Sequence, residues 1–172
     1  RLMAVSSDMM RTWRKPREVM RKLLARGQRE DLALAFLMSA CVIIFVAQWP
    51  RLSRIAAGFD LPSGSVVPEL SQLVAYEFLG WLLVWPLMFY VIGGISHAIA
   101  KLLGGQGTWY SARLALFWSL LATTPAALLY GLMAGFLGPI AAGTHLVGFF
   151  WLAAFAVIWL QTLREAERNS DV

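Results

Sequence analysis

The chain has 172 residues, of which 59% are hydrophobic and 15% charged, with a net charge of +5 and a mean hydropathy of +0.63. Together with eight Trp and ten Phe, this describes lipid-facing surface better than a soluble core, and the length allows one compact bundle with short tails but no separate soluble domain. The single Cys41 excludes a disulfide within the chain and reads as a small packed hydrophobe.

Residues 1–30 form a basic tail. Arg1, Arg11, Arg14, Lys15, Arg17, Arg21, Lys22, Arg26 and Arg29 all precede the first apolar block, which places this tail in the cytoplasm by the positive-inside rule. No cleaved-signal pattern opens the chain; its first residue is Arg1 rather than Met, which fits either a sequence that begins inside a longer product or a natural start at Met3. Pro16 to Gly27 reads as a helix with Pro at its first position and Gly just past its end. Val19, Met20, Leu23 and Leu24 form its apolar face, and Lys and Arg dominate the rest. Such an amphipathic helix suits the surface of an anionic inner leaflet, where Arg14, Lys15, Arg17, Arg21, Lys22 and Arg26 would meet lipid phosphates or a partner protein. The bland alternative is a flank that only sets topology. Trp13 is the one aromatic of the tail, so no stacking platform for nucleic acid is expected.

Four apolar blocks follow, Leu32 to Trp49, Leu73 to Ala100, Ala112 to Phe136 and Ala141 to Leu163, each near or above the roughly 20 residues that cross a hydrocarbon core. Four crossings put Lys101, Arg113, Arg164 and Arg168 inside with the tail and leave Arg51 and Arg54 outside. The Gly-rich stretch Gly131 to Gly143 leaves room for a short or re-entrant fifth segment, which would move the C-terminus outside. The expected fold is all-α: a polytopic transmembrane helical bundle of four or five spans over residues 31–163, with the N-terminal amphipathic helix on one side and a polar tail, 164–172, on the other. Between the first two blocks, Leu52, Ile55, Ala56 and Phe59 recur at helical spacing and suggest a short interfacial helix, followed by a loop from Asp60 to Pro68.

Within the blocks, Pro86 and Pro125 remove backbone donors and predict helix kinks. With Thr123 and Thr124 they mark either a transporter-like waist or ordinary packing geometry. Gly131 with Gly135, and Gly93 with Gly94, have the spacing of close helix approach. Glu77 and His145 each lie about one turn from the outer end of a helix and are placed to meet, as a proton-binding pair or a structural one. His97 lies near the inner end beside Lys101, some 30 Å from Glu77 along the helix. No haem pair, metal-ligand cluster, catalytic motif or cofactor site is visible. Gly104, Gly105, Gln106, Gly107 and Thr108 lack the Lys of a P-loop and follow a helix, so they read as a flexible turn.

The run His97, Ala98, Ile99, Ala100, Lys101, Leu102, Leu103, Gly104, Gly105, Gln106, Gly107, Thr108, continued by Arg113, Leu114, Phe117, Trp118, Thr124 and Pro125, resembles the central segment of bacterial Yip1-family membrane proteins. Trp13, Arg14, Lys15, Pro16, Arg17, Leu23 and Leu24 resemble the pre-membrane helix of those proteins. The family is usually described with five spans, whereas the charges here favour four. The resemblance implies an inner-membrane fold without enzymatic activity; its eukaryotic relatives interact with small GTPases and affect vesicle traffic, and many carry a soluble N-terminal region not seen here, so the trafficking role does not transfer. The expected role is a membrane-organising or partner-binding module. Its working surfaces would be the basic helix and the loop from Lys101 to Arg113, and its contacts lipid, a membrane protein partner or a second copy. The alternatives are a small-solute transporter or channel, and an accessory subunit of a larger complex.

Overall fold

The computed structural model describes residues 2–168, which are helical throughout apart from short connections. The helices are α1 (Leu2–Thr12), α2 (Pro16–Leu24), α3 (Glu30–Ala56), α4 (Leu70–Leu102), α5 (Trp109–Ala122), α6 (Thr124–Leu137) and α7 (Ala142–Ala166). By length and composition α3, α4 and α7 can each cross a membrane. Helices α5 and α6 are bent by 45° at their junction and make a fourth crossing when counted as one span.

Ion pairs mark the two ends of the bundle. Glu30 bonds Arg113, and Arg21 bonds Glu165, at the end where α3 and α5 begin and α4 and α7 finish, called the basic end below. At the far end Arg51 bonds Glu77 and Arg54 bonds Asp60, each at 2.6 Å. The centre is α5, in which every residue from Tyr110 to Ala122 is buried except Arg113. A helix apolar all round is buried on all sides, and here α3, α4, α7 and the N-terminal hairpin surround it. Trp118 packs edge-on against Phe36 and Phe117 against Tyr90, with ring centroids 4.9 and 5.0 Å apart.

Glycine sets the spacing between α3 and α6. A Cβ on Gly131 would come within 2.0 Å of the Ala47 carbonyl oxygen, and one on Gly135 within 2.2 Å of Pro50 Cβ. The four-residue spacing therefore serves a contact inside the chain, and neither glycine is an exposed docking position for a partner helix.

Three expectations need correction. The stretch from Leu52 to Phe59 forms no separate interfacial helix: α3 runs on through Pro50 as far as Ala56. Pro50 fits because it faces Gly135 at the closest approach to α6. The segment before Pro16 holds a helix that spacing did not announce, α1, held to α2 by Lys22 Nζ bonding both oxygens of Asp8 at 3.0 and 3.2 Å. Finally, the apolar face of α2 is not spread on lipid. Val19, Met20 and Leu23 are at most 1% exposed, because this face packs onto the bundle beside α7.

Candidate functional site

The junction of α5 and α6 is a problem in backbone accounting. Pro125 has no N–H for the Leu121 carbonyl, and the Ala126 N–H turns to Thr123 O, leaving the Ala122 carbonyl without its usual helical donor. In hydrocarbon an unmet carbonyl costs several kcal/mol, so each must find a partner. Thr124 Oγ1 donates to Leu121 O at 2.7 Å, and Thr123 Oγ1 lies 3.0 and 3.1 Å from the Ser119 and Leu120 carbonyls. The Ala122 carbonyl takes the indole N–H of Trp13 at 2.9 Å. These threonines spend their hydroxyls on the backbone, where a waist lining a polar path would need them free. Pro86 is handled differently: a π-turn over Gly80–Val84 precedes it, with the Trp85 N–H bonding Gly80 O.

Trp13 thus ties the elbow between α1 and α2 to the bend of the bundle. Its ring also stacks on Phe150 at 5.9 Å, and Thr12 beside it accepts from Trp118 Nε1 at 3.0 Å. Ala122 lies nine residues along α5 from Arg113, about 14 Å at the rise of an α-helix. The elbow is therefore well below the basic end, and Arg11, Arg14, Lys15 and Arg17 on it are exposed. From sequence Trp13 registered as the tail's one aromatic and as part of the family resemblance, not as a donor; that role depends on which carbonyl the distant Pro125 frees.

A second constellation sits at the basic end. Glu167, just past α7, accepts from Gly107 N at 3.0 Å and shares a 2.7 Å hydrogen bond with His97 Nδ1, the two side chains being 7% and 3% exposed. His97 also packs against Trp109, with ring centroids 4.5 Å apart. Gln106 N–H bonds Glu167 O, and Ser111 Oγ bonds Ala166 O. Added Cβ atoms on Gly105 and Gly107 would stand 2.7 and 2.9 Å from Glu167 Oε2. The glycine-rich turn is thus a cradle for this chain's own carboxylate. It opens with a Schellman closure, Gly105 N–H to Ala100 O at 2.8 Å, and ends in a Thr108–Ser111 capping box that starts α5. The capping spacing was readable in the sequence. Glu167 was not, since it lies in the polar tail, 70 residues from His97.

The eight basic residues expected to bind lipid or a partner fall into two groups. Lys15 pairs with Glu18, Arg21 with Glu165, Lys22 with Asp8 and Arg113 with Glu30. Arg14, Arg17, Arg26 and Lys101 are exposed and form no ion pair among the described residues. Glu77 and His145 are not brought together. Arg51 reaches Glu77 first, from two residues beyond the end of the first apolar block, and the exposed His145 side chain has no hydrogen-bond or ionic partner among the described residues. Beside the hairpin, Asp31 bonds the Arg29 guanidinium at 2.8 Å and raises its pKa above the usual arginine value.

A family model described as Yip1 domain matches residues 10–170, from α1 through the Glu167 cradle. No curated protein and no solved structure matches the chain. The match takes in the end of α1, α2, the glycine turn and all the long apolar helices: the chain belongs to the Yip1 family of membrane proteins.

Proposed function

We propose that this protein is a non-enzymatic, multi-pass protein of the bacterial inner membrane, with its N-terminus in the cytoplasm, which organises lipid by holding a charged helical hairpin below the surface of one leaflet. The observation that carries this reading is the Trp13 anchor, whose indole at the elbow of α1 and α2 caps a carbonyl about 14 Å along α5 from Arg113. The apolar face of α2 is not available to lipid, since Val19, Met20 and Leu23 are buried in the protein, while α1 exposes Met3 and Met10. The outward face of the hairpin carries Arg14 and Arg17, both free of ion pairs among the described residues.

A cation at that depth costs about 3 kcal/mol if hydrocarbon surrounds it, and local thinning of the bilayer relieves the cost. Headgroups drawn down to Arg14, Lys15 and Arg17 would thin the cytoplasmic leaflet on the hairpin side alone. Thinning one side of one leaflet bends the membrane. Lys and Arg gathered at the basic end support the orientation. Membership of a family not known for enzymes supports a role without catalysis.

The test is reconstitution into vesicles of phosphatidylcholine and phosphatidylglycerol, with diameters measured by electron cryomicroscopy. The protein is expected to shift vesicles to smaller diameters, and the combined change of Arg14, Lys15 and Arg17 to Gln to restore the protein-free distribution. Diameters unchanged by the unaltered protein would overturn the proposal.

A further inference from the structure

A groove of about 640 Å³ lies between the basic-end halves of α4 and α7, within the roughly 300–1,000 Å³ of ligand sites. Ile92, Ile95 and Ile99 of α4 form one wall, Leu160 and Leu163 of α7 the other, and Trp159 lines it deeper in. Both walls belong to helices apolar enough to cross a membrane, so the groove is a furrow facing hydrocarbon. Its basic-end rim is polar. Arg164 stands there, exposed and without an ion-pair partner among the described residues, and Lys101 adds a second unpaired cation at the end of α4. Glu167 lines the same rim, but its carboxylate is engaged by His97 and Gly107; Lys101 stands outside the lining. The furrow is largely apolar along its length, and the free charge at its mouth is that of Arg164.

We infer that this groove holds one anionic phospholipid, with an acyl chain between the α4 isoleucines and the α7 leucines and its phosphate against Arg164. Three features favour a lipid over a helix of another protein. The groove opens to the phase that supplies lipid, its charge falls where a headgroup would sit, and its walls are branched aliphatic side chains. The small residues that let a helix backbone approach closely are gathered mostly at the rim, at Ala100, Gly104 and Gly105, with Ser96 alone among the isoleucines and its hydroxyl spent on Gly93 O. The inference needs a membrane-embedded chain but not the deformation proposed for the hairpin. Arg164 lies on a different helix from the elbow, so either reading can fail alone.

The test is native mass spectrometry of the full chain released from nanodiscs of equal parts phosphatidylglycerol and phosphatidylcholine. One phosphatidylglycerol per chain is expected to persist at collision energies that strip phosphatidylcholine. Arg164→Gln is expected to lower that preference about fivefold, the contribution of one basic side chain near an anionic surface. Ala100→Trp, which fills the rim, is expected to abolish retention of both lipids. Circular dichroism verifies the helix content of each variant, and the conservative Arg164→Lys, which keeps the charge, is expected to retain phosphatidylglycerol if the Trp variant does not fold. Equal retention of the two lipids, or a preference indifferent to Arg164→Gln, would identify ordinary boundary lipid and overturn the inference. A lipid-free dimer dispersed by Ala100→Trp would place a second copy in the groove and overturn it as well.

Discussion

Gly131→Ala places a methyl group where the structure has a carbonyl. The added Cβ would sit 2.0 Å from Ala47 O, 2.8 Å from its carbonyl carbon and 3.2 Å from its Cα. All three are backbone atoms of α3, so no side-chain rotation relieves the contact, and α3 and α6 must separate by more than 1 Å. Overpacking of a tight core costs about 1–3 kcal/mol where side chains can adjust. With backbone against backbone the upper end applies, and we predict about 3 kcal/mol, a hundredfold or more in the folded-to-unfolded ratio. The assay is unfolding in mild detergent followed by circular dichroism. One control uses the same substitution: Gly80→Ala meets nothing within 4 Å, so it should leave stability unchanged or raise it by up to about 1 kcal/mol. Equal stability of Gly131→Ala and Gly80→Ala would refute the argument that glycine spacing joins these helices.

Trp13→Phe keeps an aromatic ring for Phe150 but leaves the Ala122 carbonyl without a donor, so it should cost about 1–3 kcal/mol and raise protease cleavage in the α1–α2 elbow. Glu167→Ala frees the Gly107 N–H, and hydrogen exchange should quicken at residues 105–108 with little change in the middle of α5. Glu77→Gln leaves Arg51 without a charged partner at a site where both side chains are about one quarter exposed; a double-mutant cycle should find a coupling of about 1 kcal/mol or less.

The membrane class and the four apolar segments were legible because both follow from local hydropathy, and α3 to α7 fall on the four blocks. Pro125 was legible as a break for the same reason: the missing N–H is a property of one residue. The groups that answer that break were not. Trp13 donates to a residue 109 positions away, and nothing near either position in the sequence signals the pairing. Glu77 shows how a spacing argument fails: depth alone allowed His145, but Arg51 lies on the neighbouring helix at the same depth and carries a permanent charge. The glycine turn was read as flexible, whereas it is tied by hydrogen bonds to Ala100, Glu167 and Ser111. Its purpose became visible only with Glu167 in place, since glycine is required there by an oxygen arriving from the other end of the chain.

The account rests most heavily on the position of the α1–α2 elbow. Pulsed electron resonance distances between spin labels test it directly, with Arg14 paired in turn with Phe149 and with Lys101 on a Cys41→Ala background in lipid vesicles. Because Trp13 stacks on Phe150, the 14–149 distance is predicted to be clearly shorter than the 14–101 distance; the reverse order would lift the hairpin to the membrane surface and contradict the account.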